Sequence, residues 1–250
     1  MRPVGAAAPL EVRIAEKTFI SAQGVALTAL RDLAFEVPHG SFACLFGPSG
    51  CGKSTLLRIL LGLDREFSGS YTLPGGQTRT AAVFQEPTLL PWRNVACNVE
   101  LALPKAARKT DLDWLFEALG LAEMRTLYPS ELSLGLARRV ALARAFAIEP
   151  SVLFLDEPFV SLDEPTAERL RGLLMSVWSA RPTTALMVTH NLREAVTLSD
   201  RIVVLTPRPA RVRGVFDIRL PREHRNRQVV DDLLRAFHIK FPEQAGGGYA

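Results

Sequence analysis

The sequence predicts an α/β fold: a buried sheet whose strands deliver polar residues at their C-terminal ends, with an antiparallel β subdomain and an inserted α-helical subdomain. Three observations predict it. Gly47-Pro48-Ser49-Gly50-Cys51-Gly52-Lys53-Ser54-Thr55 fits the phosphate-binding pattern G-x-x-x-x-G-K-[ST], between the apolar run Phe42 to Phe46 and a helical stretch, Lys53 to Leu63. Two further apolar runs, Val152 to Leu155 and Ala185 to Val188, end in Asp156-Glu157 and Thr189-His190. Such continuous runs suit parallel strands covered on both faces. From Glu86 to Pro150 the texture changes to helical patterns with proline-marked joins.

The bulk properties narrow the classes. At 250 residues with 48% apolar content, the chain can bury a sizeable core. Its three cysteines, Cys44, Cys51 and Cys97, match neither a disulfide framework nor a zinc site, which points to a reducing compartment. No apolar run approaches the roughly eighteen residues of a membrane span, and Met1 to Leu10 reads poorly as a signal peptide. The net charge of +4 is small and dispersed. Seven arginines do concentrate between Arg208 and Arg227, but without the interleaved aromatics of a single-strand binder. A solvated surface is expected there, and nucleic acid is not an expected partner.

In chain order, Val12 and Ile14, then Leu33, Phe35 and Val37, alternate with polar or small residues as half-buried antiparallel strands do. Phe19 lies between them, either as a buried strand-end residue or as a ring that stacks on a purine. The phosphate loop itself needs converging donors. Its glycines let backbone N–H groups approach a polyphosphate, and the following helix N-terminus adds partial positive charge. Lys53 is placed to bind the β- and γ-phosphates, and Ser54 to hold Mg2+. Cys51, near that helix N-terminus and Lys53, is expected to have thiolate character and to be shielded by bound nucleotide.

A short strand is expected around Tyr71 to Leu73, and another at Thr80 to Phe84 that delivers Gln85, a candidate Mg2+ ligand near the attacking water. Helical patterns follow at Val95 to Leu103, Leu112 to Leu119 and Leu134 to Ile148. In the last of these, Leu136, Val140, Ala143 and Ala147 form an apolar stripe, with Arg138, Arg139 and Arg144 largely off it. Ser133 starts that helix, either as its cap or as a hydroxyl aimed at another subunit's phosphate. Two adjacent carboxylates at a buried strand end are costly without a cation. Mg2+ on Asp156, with Glu157 orienting or deprotonating water, accounts for the pair. Asp163 caps an amphipathic helix carrying Leu170, Leu173, Leu174, Val177 and Trp178. His190 falls at a strand end, where a doubly wound sheet binds its ligand, and is a candidate γ-phosphate contact. A helix at Leu192 to Leu198 and a strand at Ile202 to Leu205 complete the pattern. Beyond Gly214 the segments are short and basic, ending in the flexible-looking Gly246-Gly247-Gly248.

The order phosphate loop, Gln85, Leu132-Ser133-Leu134-Gly135, Asp156-Glu157-Pro158, Ser161-Leu162-Asp163, His190 resembles the ATP-binding cassette (ABC) ATPases over residues 11 to about 206. The resemblance implies a P-loop NTPase (RecA-like) core. The nucleotide-binding domain would span 10–225, with its helical insert at about 86–150, followed by a C-terminal tail at 226–250. It implies a head-to-tail dimer in which each ATP lies between one subunit's phosphate loop and the other's signature, here Ser133 and Gly135. Phe19 resembles the adenine-stacking aromatic, Gln85 the Mg2+ ligand that senses a membrane subunit, Glu157 the catalytic carboxylate and His190 the switch histidine. Asp163 lies where the family links its two sites. Leu89 to Val95 and Pro207 to Val212 resemble importers of nitrate, alkanesulfonates and taurine. Permease subunits and, indirectly, a solute-binding protein are the implied partners, at the cytoplasmic face of the membrane.

The signature departs from the family pattern L-S-G-G-[QM] by carrying Leu134 and Leu136. An isobutyl group where the backbone should approach a phosphate is expected to impair sites completed by this chain. A catalytically weak subunit beside a different cassette is thus one alternative. A soluble cassette acting on DNA or ribosomes is another, although no second cassette, coiled-coil insertion or basic groove is present.

Overall fold

The computed structural model describes residues 8–74, 79–107 and 110–242. Along the chain run β1 (Leu10–Ile20), β2 (Ala26–Val37), β3 (Phe42–Phe46), α1 (Lys53–Leu60), β4 (Ser68–Thr72), β5 (Thr80–Val83), α2 (Val95–Glu100), α3 (Asp113–Ala118), α4 (Leu134–Ala147), β6 (Val152–Asp156), α5 (Glu164–Ala180), β7 (Thr184–Thr189), α6 (Leu192–Leu198), β8 (Arg201–Leu205), β9 (Val212–Asp217) and α7 (Arg227–Lys240). The described residues divide into two compact units, one from the segments before 75 and from 184 onward, the other from the segment up to 183.

In the first unit, β1 pairs antiparallel with β2 and with β4. Burial alternates along β1, with Leu10, Val12 and Ile14 inside, as its polar–apolar alternation predicts. In a second sheet β3 lies parallel between β7 and β8, and β9 adds antiparallel to β8. All five residues of β3 and all six of β7 are buried, which explains why both read as unbroken apolar runs. The helix expected from Lys53 to Leu63 stops at Leu60, because Gly62 adopts φ +70 and its N–H turns back to the Ile59 carbonyl.

Residues beyond Gly214 contribute more than short basic segments. Phe237 of α7 is fully buried, with ring centroids 5.6 Å from Phe46 of β3 and 5.5 Å from Phe216 of β9. One member of the arginine cluster, Arg225, departs from the expected solvated surface. Arg225 is buried and donates to the carbonyls of Val196, Ser199 and Leu220, closing the end of α6, and burial pushes its guanidinium down to about pKa 10. Gly246-Gly247-Gly248 lies outside the described residues.

In the second unit β5 and β6 pair in parallel, and α4 packs on β5, α2, α3 and α5. Ala143 and Ala147 of the expected stripe are buried, but so is Arg138, at 3% exposure, although the sequence had placed it off the stripe. The guanidinium finds backbone acceptors inside, which periodicity cannot reveal. No helix among the described residues is long and apolar enough to cross a membrane.

Candidate nucleotide site

The phosphate loop leaves β3 at Gly47, and α1 begins at Lys53. Gly52 supplies no side-chain cap to α1, and the partial positive charge of a helix N-terminus suits an anion there. Gly52, the residue before α1, has φ +127, and a β-carbon there would sit 2.8 Å from Leu30 Cδ2 and 3.1 Å from the Ala29 carbonyl oxygen. Only glycine fits that pinch between the loop and β2. The Lys53 ammonium is buried and donates to the Gly47 and Pro48 carbonyls at 2.8 and 2.9 Å, which aims it into the loop. An ammonium carries three protons, so a phosphate oxygen can also be served. Ser49, Gly50 and Ser54 are exposed and Thr55 half-buried.

Cys51 contradicts its expected reactivity. It is 2% exposed, and burial pushes its thiol above the ordinary value, outweighing the lowering effect of Lys53. A thiol so buried is suited to packing rather than to nucleophilic attack.

His190 follows β7, and the β3–β7 register pairs Phe46 with Thr189, so Gly47 and His190 leave adjacent strands at the same level. Thr189 Oγ1 donates to Glu194 Oε2 at 2.7 Å and accepts from the Asn191 N–H, fixing the turn that carries the half-buried histidine. Phe19 is 42% exposed, which removes the buried strand-end reading. Its ring lies 4.6 Å from Lys17 Nζ, and Lys17 is held by Asp64 Oδ1 at 2.7 Å. The hydrogen bond and charge from Lys17 bring the Asp64 carboxyl below the usual carboxylate value, although partial burial opposes this. Phe19 and Thr55 line one open hollow of about 550 Å³, so the ring and the end of the phosphate loop face the same space.

The second unit gathers the other predicted residues. The β5–β6 register pairs Val83 with Leu155, so Gln85 and Asp156-Glu157 emerge from neighbouring strand ends. Gln85 is exposed, and Asp156 and Glu157 are half-buried. Glu157 has φ +45, a left-handed conformation that costs a non-glycine residue about 1–3 kcal/mol and concentrates at functional sites. Ser133 realises its capping role, accepting from the Leu136 N–H at 3.3 Å. Asp163 caps α5 through the Thr166 N–H at 3.0 Å and hydroxyl at 2.7 Å, and these bonds lower its pKa. A β-carbon on Gly135 would approach the Thr166 methyl to 2.8 Å, so the signature glycine packs beside the Asp163 cap. Leu134, by contrast, is 41% exposed.

Sequence reasoning missed two contacts that brace these loops. Arg208 Nη2 donates to the Gly50 carbonyl at 2.5 Å, and its own loop is tied to β2 by Ala210 N–H to the Ala29 carbonyl at 2.9 Å. Arg144 of α4 donates to the Pro87 and Thr88 carbonyls at 2.8 and 2.9 Å. A surface arginine carries no periodic signal, so neither contact could be found from spacing.

The comparisons with known proteins agree with the geometry. The family described as ABC transporter matches residues 30–160. An aliphatic sulfonates import ATP-binding protein, SsuB 2 of Burkholderia cenocepacia, is 40% identical over 99% of this chain and 94% of its own length. The corresponding protein of Bacillus subtilis is 38% identical over 88% of each chain. Among solved structures, the dimeric bacterial ABC transporter cassette MJ0796 superposes with a TM-score of 0.70 at 27% identity, covering 85% of this chain and all of that one. The same cassette in a post-hydrolysis state bound to ADP and Pi gives 0.71 at 25% identity, with the same coverage. This chain belongs to the ABC transporter family, as an ATP-binding and ATP-hydrolysing cassette.

Proposed function

We propose that the chain is the ATPase subunit of an importer, coupling closure of a cassette dimer to passage of a small solute through partner membrane subunits. A sulfonate, taurine or nitrate is the proposed solute class. The observation that carries this is the relationship along nearly the whole chain to proteins named for aliphatic sulfonate import, joined to a glycine-pinched phosphate loop. The chain would sit peripherally at the cytoplasmic face of the membrane, beside permease subunits and, indirectly, a solute-binding protein.

Residues 47–55 would cradle the phosphates, Lys53 would contact the β- and γ-phosphates and Phe19 would stack on the base. Ser54, Gln85 and Asp156 offer a hydroxyl, an amide carbonyl and a carboxylate. This hard-oxygen set suits Mg2+, which takes few protein ligands and completes its shell with phosphate oxygens and water. Mg2+ would supply neutralisation of phosphate charge. Glu157 would accept a proton from, or orient, the water that attacks the γ-phosphorus, and His190 would hold a γ-phosphate oxygen. Ser133, Gly135 and Asp163 would serve the site of the second cassette.

Reconstitution with the membrane subunits tests the reading. Solute-loaded binding protein should stimulate ATP hydrolysis, and Glu157→Gln should lower turnover at least about hundredfold while retaining MgATP binding. Turnover that ignores the solute would exclude an importer of that solute, and full activity in Glu157→Gln would exclude that residue as the base. Exposed Leu134 at the start of α4 favours a second reading, a weakly hydrolysing subunit paired with a different cassette. Hydrolysis by the chain alone, compared with the full assembly, separates the two.

A further inference from the structure

A side chain with no assigned role links the two loops that carry the candidate hydrolytic residues. Arg138 sits in the second turn of α4, five residues after the Ser133 cap, and is 97% buried. A guanidinium so deep is tolerated only where its N–H groups meet acceptors. Its Nη1 donates to the Pro158 carbonyl at 2.9 Å, and its Nη2 reaches the Gln85 carbonyl at 3.5 Å.

The Pro158 contact falls beside a residue in a strained backbone conformation. Glu157 holds the left-handed φ of +45 immediately before it. A proline has no N–H, so the Glu157–Pro158 peptide can accept a hydrogen bond but not donate one, and Arg138 holds the turn one peptide further on, at the Pro158 carbonyl. The turn's own closing bond, Val160 N–H to the Glu157 carbonyl, is long at 3.3 Å. A strained conformation persists only when its surroundings over-determine it, and the buried Arg138 contact on the Pro158 carbonyl is one such restraint. Arg144, farther along α4, grips the Pro87 and Thr88 carbonyls of the loop after Gln85, so one helix braces both segments.

We propose that Arg138 is a positioning residue for ATP hydrolysis. It fixes the turn that presents Glu157 and ties that turn and the Gln85 backbone to the helix that begins at Ser133. The assignment rests on the reading of Glu157 as the group that handles the attacking water. Arginine suits the role because its planar fork reaches two carbonyls at once, whereas a lysine ammonium can preserve the charge and one bond without that geometry.

Steady-state ATP hydrolysis and MgATP binding by the full chain test the proposal in Arg138→Gln and Arg138→Lys, with Glu157→Gln as control. Arg138→Gln should lower kcat at least about tenfold, the scale of a displaced catalytic group, with KM for MgATP within about twofold of the parent. Arg138→Lys should recover part of the loss. A kcat within about twofold of the parent in both variants overturns the proposal. So does a loss shared by MgATP affinity and thermal stability without a selective fall in kcat, which would mark a structural role only. Should Arg138→Gln fail to fold, Arg138→Lys carries the test, and parental kcat in it overturns the proposal. Retained turnover in Glu157→Gln removes the base assignment and this inference with it; lost turnover there beside unaffected Arg138 variants removes the inference alone.

Discussion

Replacing Phe237 by alanine should destabilise the unit that carries the phosphate loop. The ring is fully buried, lies edge-on to Phe46 at 5.6 Å and Phe216 at 5.5 Å, and has Phe241 at 5.0 Å. Phe46 is the residue before Gly47, so the cavity would open directly beneath the loop. Deleting a buried phenylalanine side chain costs about 3–5 kcal/mol when its surroundings relax only partly. At about 2–4 °C per kcal/mol for a chain of this size, Tm should fall by roughly 6–20 °C. MgATP at a hundred times its Kd stabilises the binding-competent state by about 2.7 kcal/mol, so it should restore a large part of the loss. Urea unfolding with and without MgATP measures both terms, and Phe237→Leu, which keeps most of the apolar volume, should lose less than half as much. A loss below about 1 kcal/mol in the alanine variant would refute the packing of α7 on β3.

Three further outcomes follow from the site. Cys51 should alkylate slowly at neutral pH, its rate rising as pH passes the ordinary thiol value because burial pushes its pKa up. Peptide mapping should find half-buried Cys97 labelled first, and faster labelling of Cys51 at pH 7 would contradict its burial. Arg208→Ala should raise the Kd for MgATP about fivefold, the scale of one exposed charge-assisted hydrogen bond, and Arg208→Lys should retain most of the affinity. An unchanged Kd in the alanine variant would mean that the Gly50 carbonyl needs no such brace. Leu134→Gly combined with Leu136→Gln should raise the ATPase rate of the assembled transporter, and an unchanged rate would show that the apolar signature does not limit closure.

The sequence by itself determined much of this protein because much of its information is local. A phosphate loop must be glycine-rich, and a strand covered on both faces must be apolar, so residues 42–55, 152–157 and 185–190 were legible without coordinates. Phe19 stood open between two readings, and its 42% exposure beside a hollow shared with Thr55 removes the buried one. The reactivity expected of Cys51 was wrong because a helix N-terminus and a lysine are visible in sequence, while the burial that outweighs them is not. The C-terminal helix was hidden by its many charges, since only its packing shows that Phe237 belongs to the core. Arg138 marks the same limit. Its residue type suggests a surface, and only the tertiary structure supplies the Pro158 and Gln85 carbonyls that let a buried cation brace the turn of Glu157, since long-range acceptors leave no periodic trace in the chain.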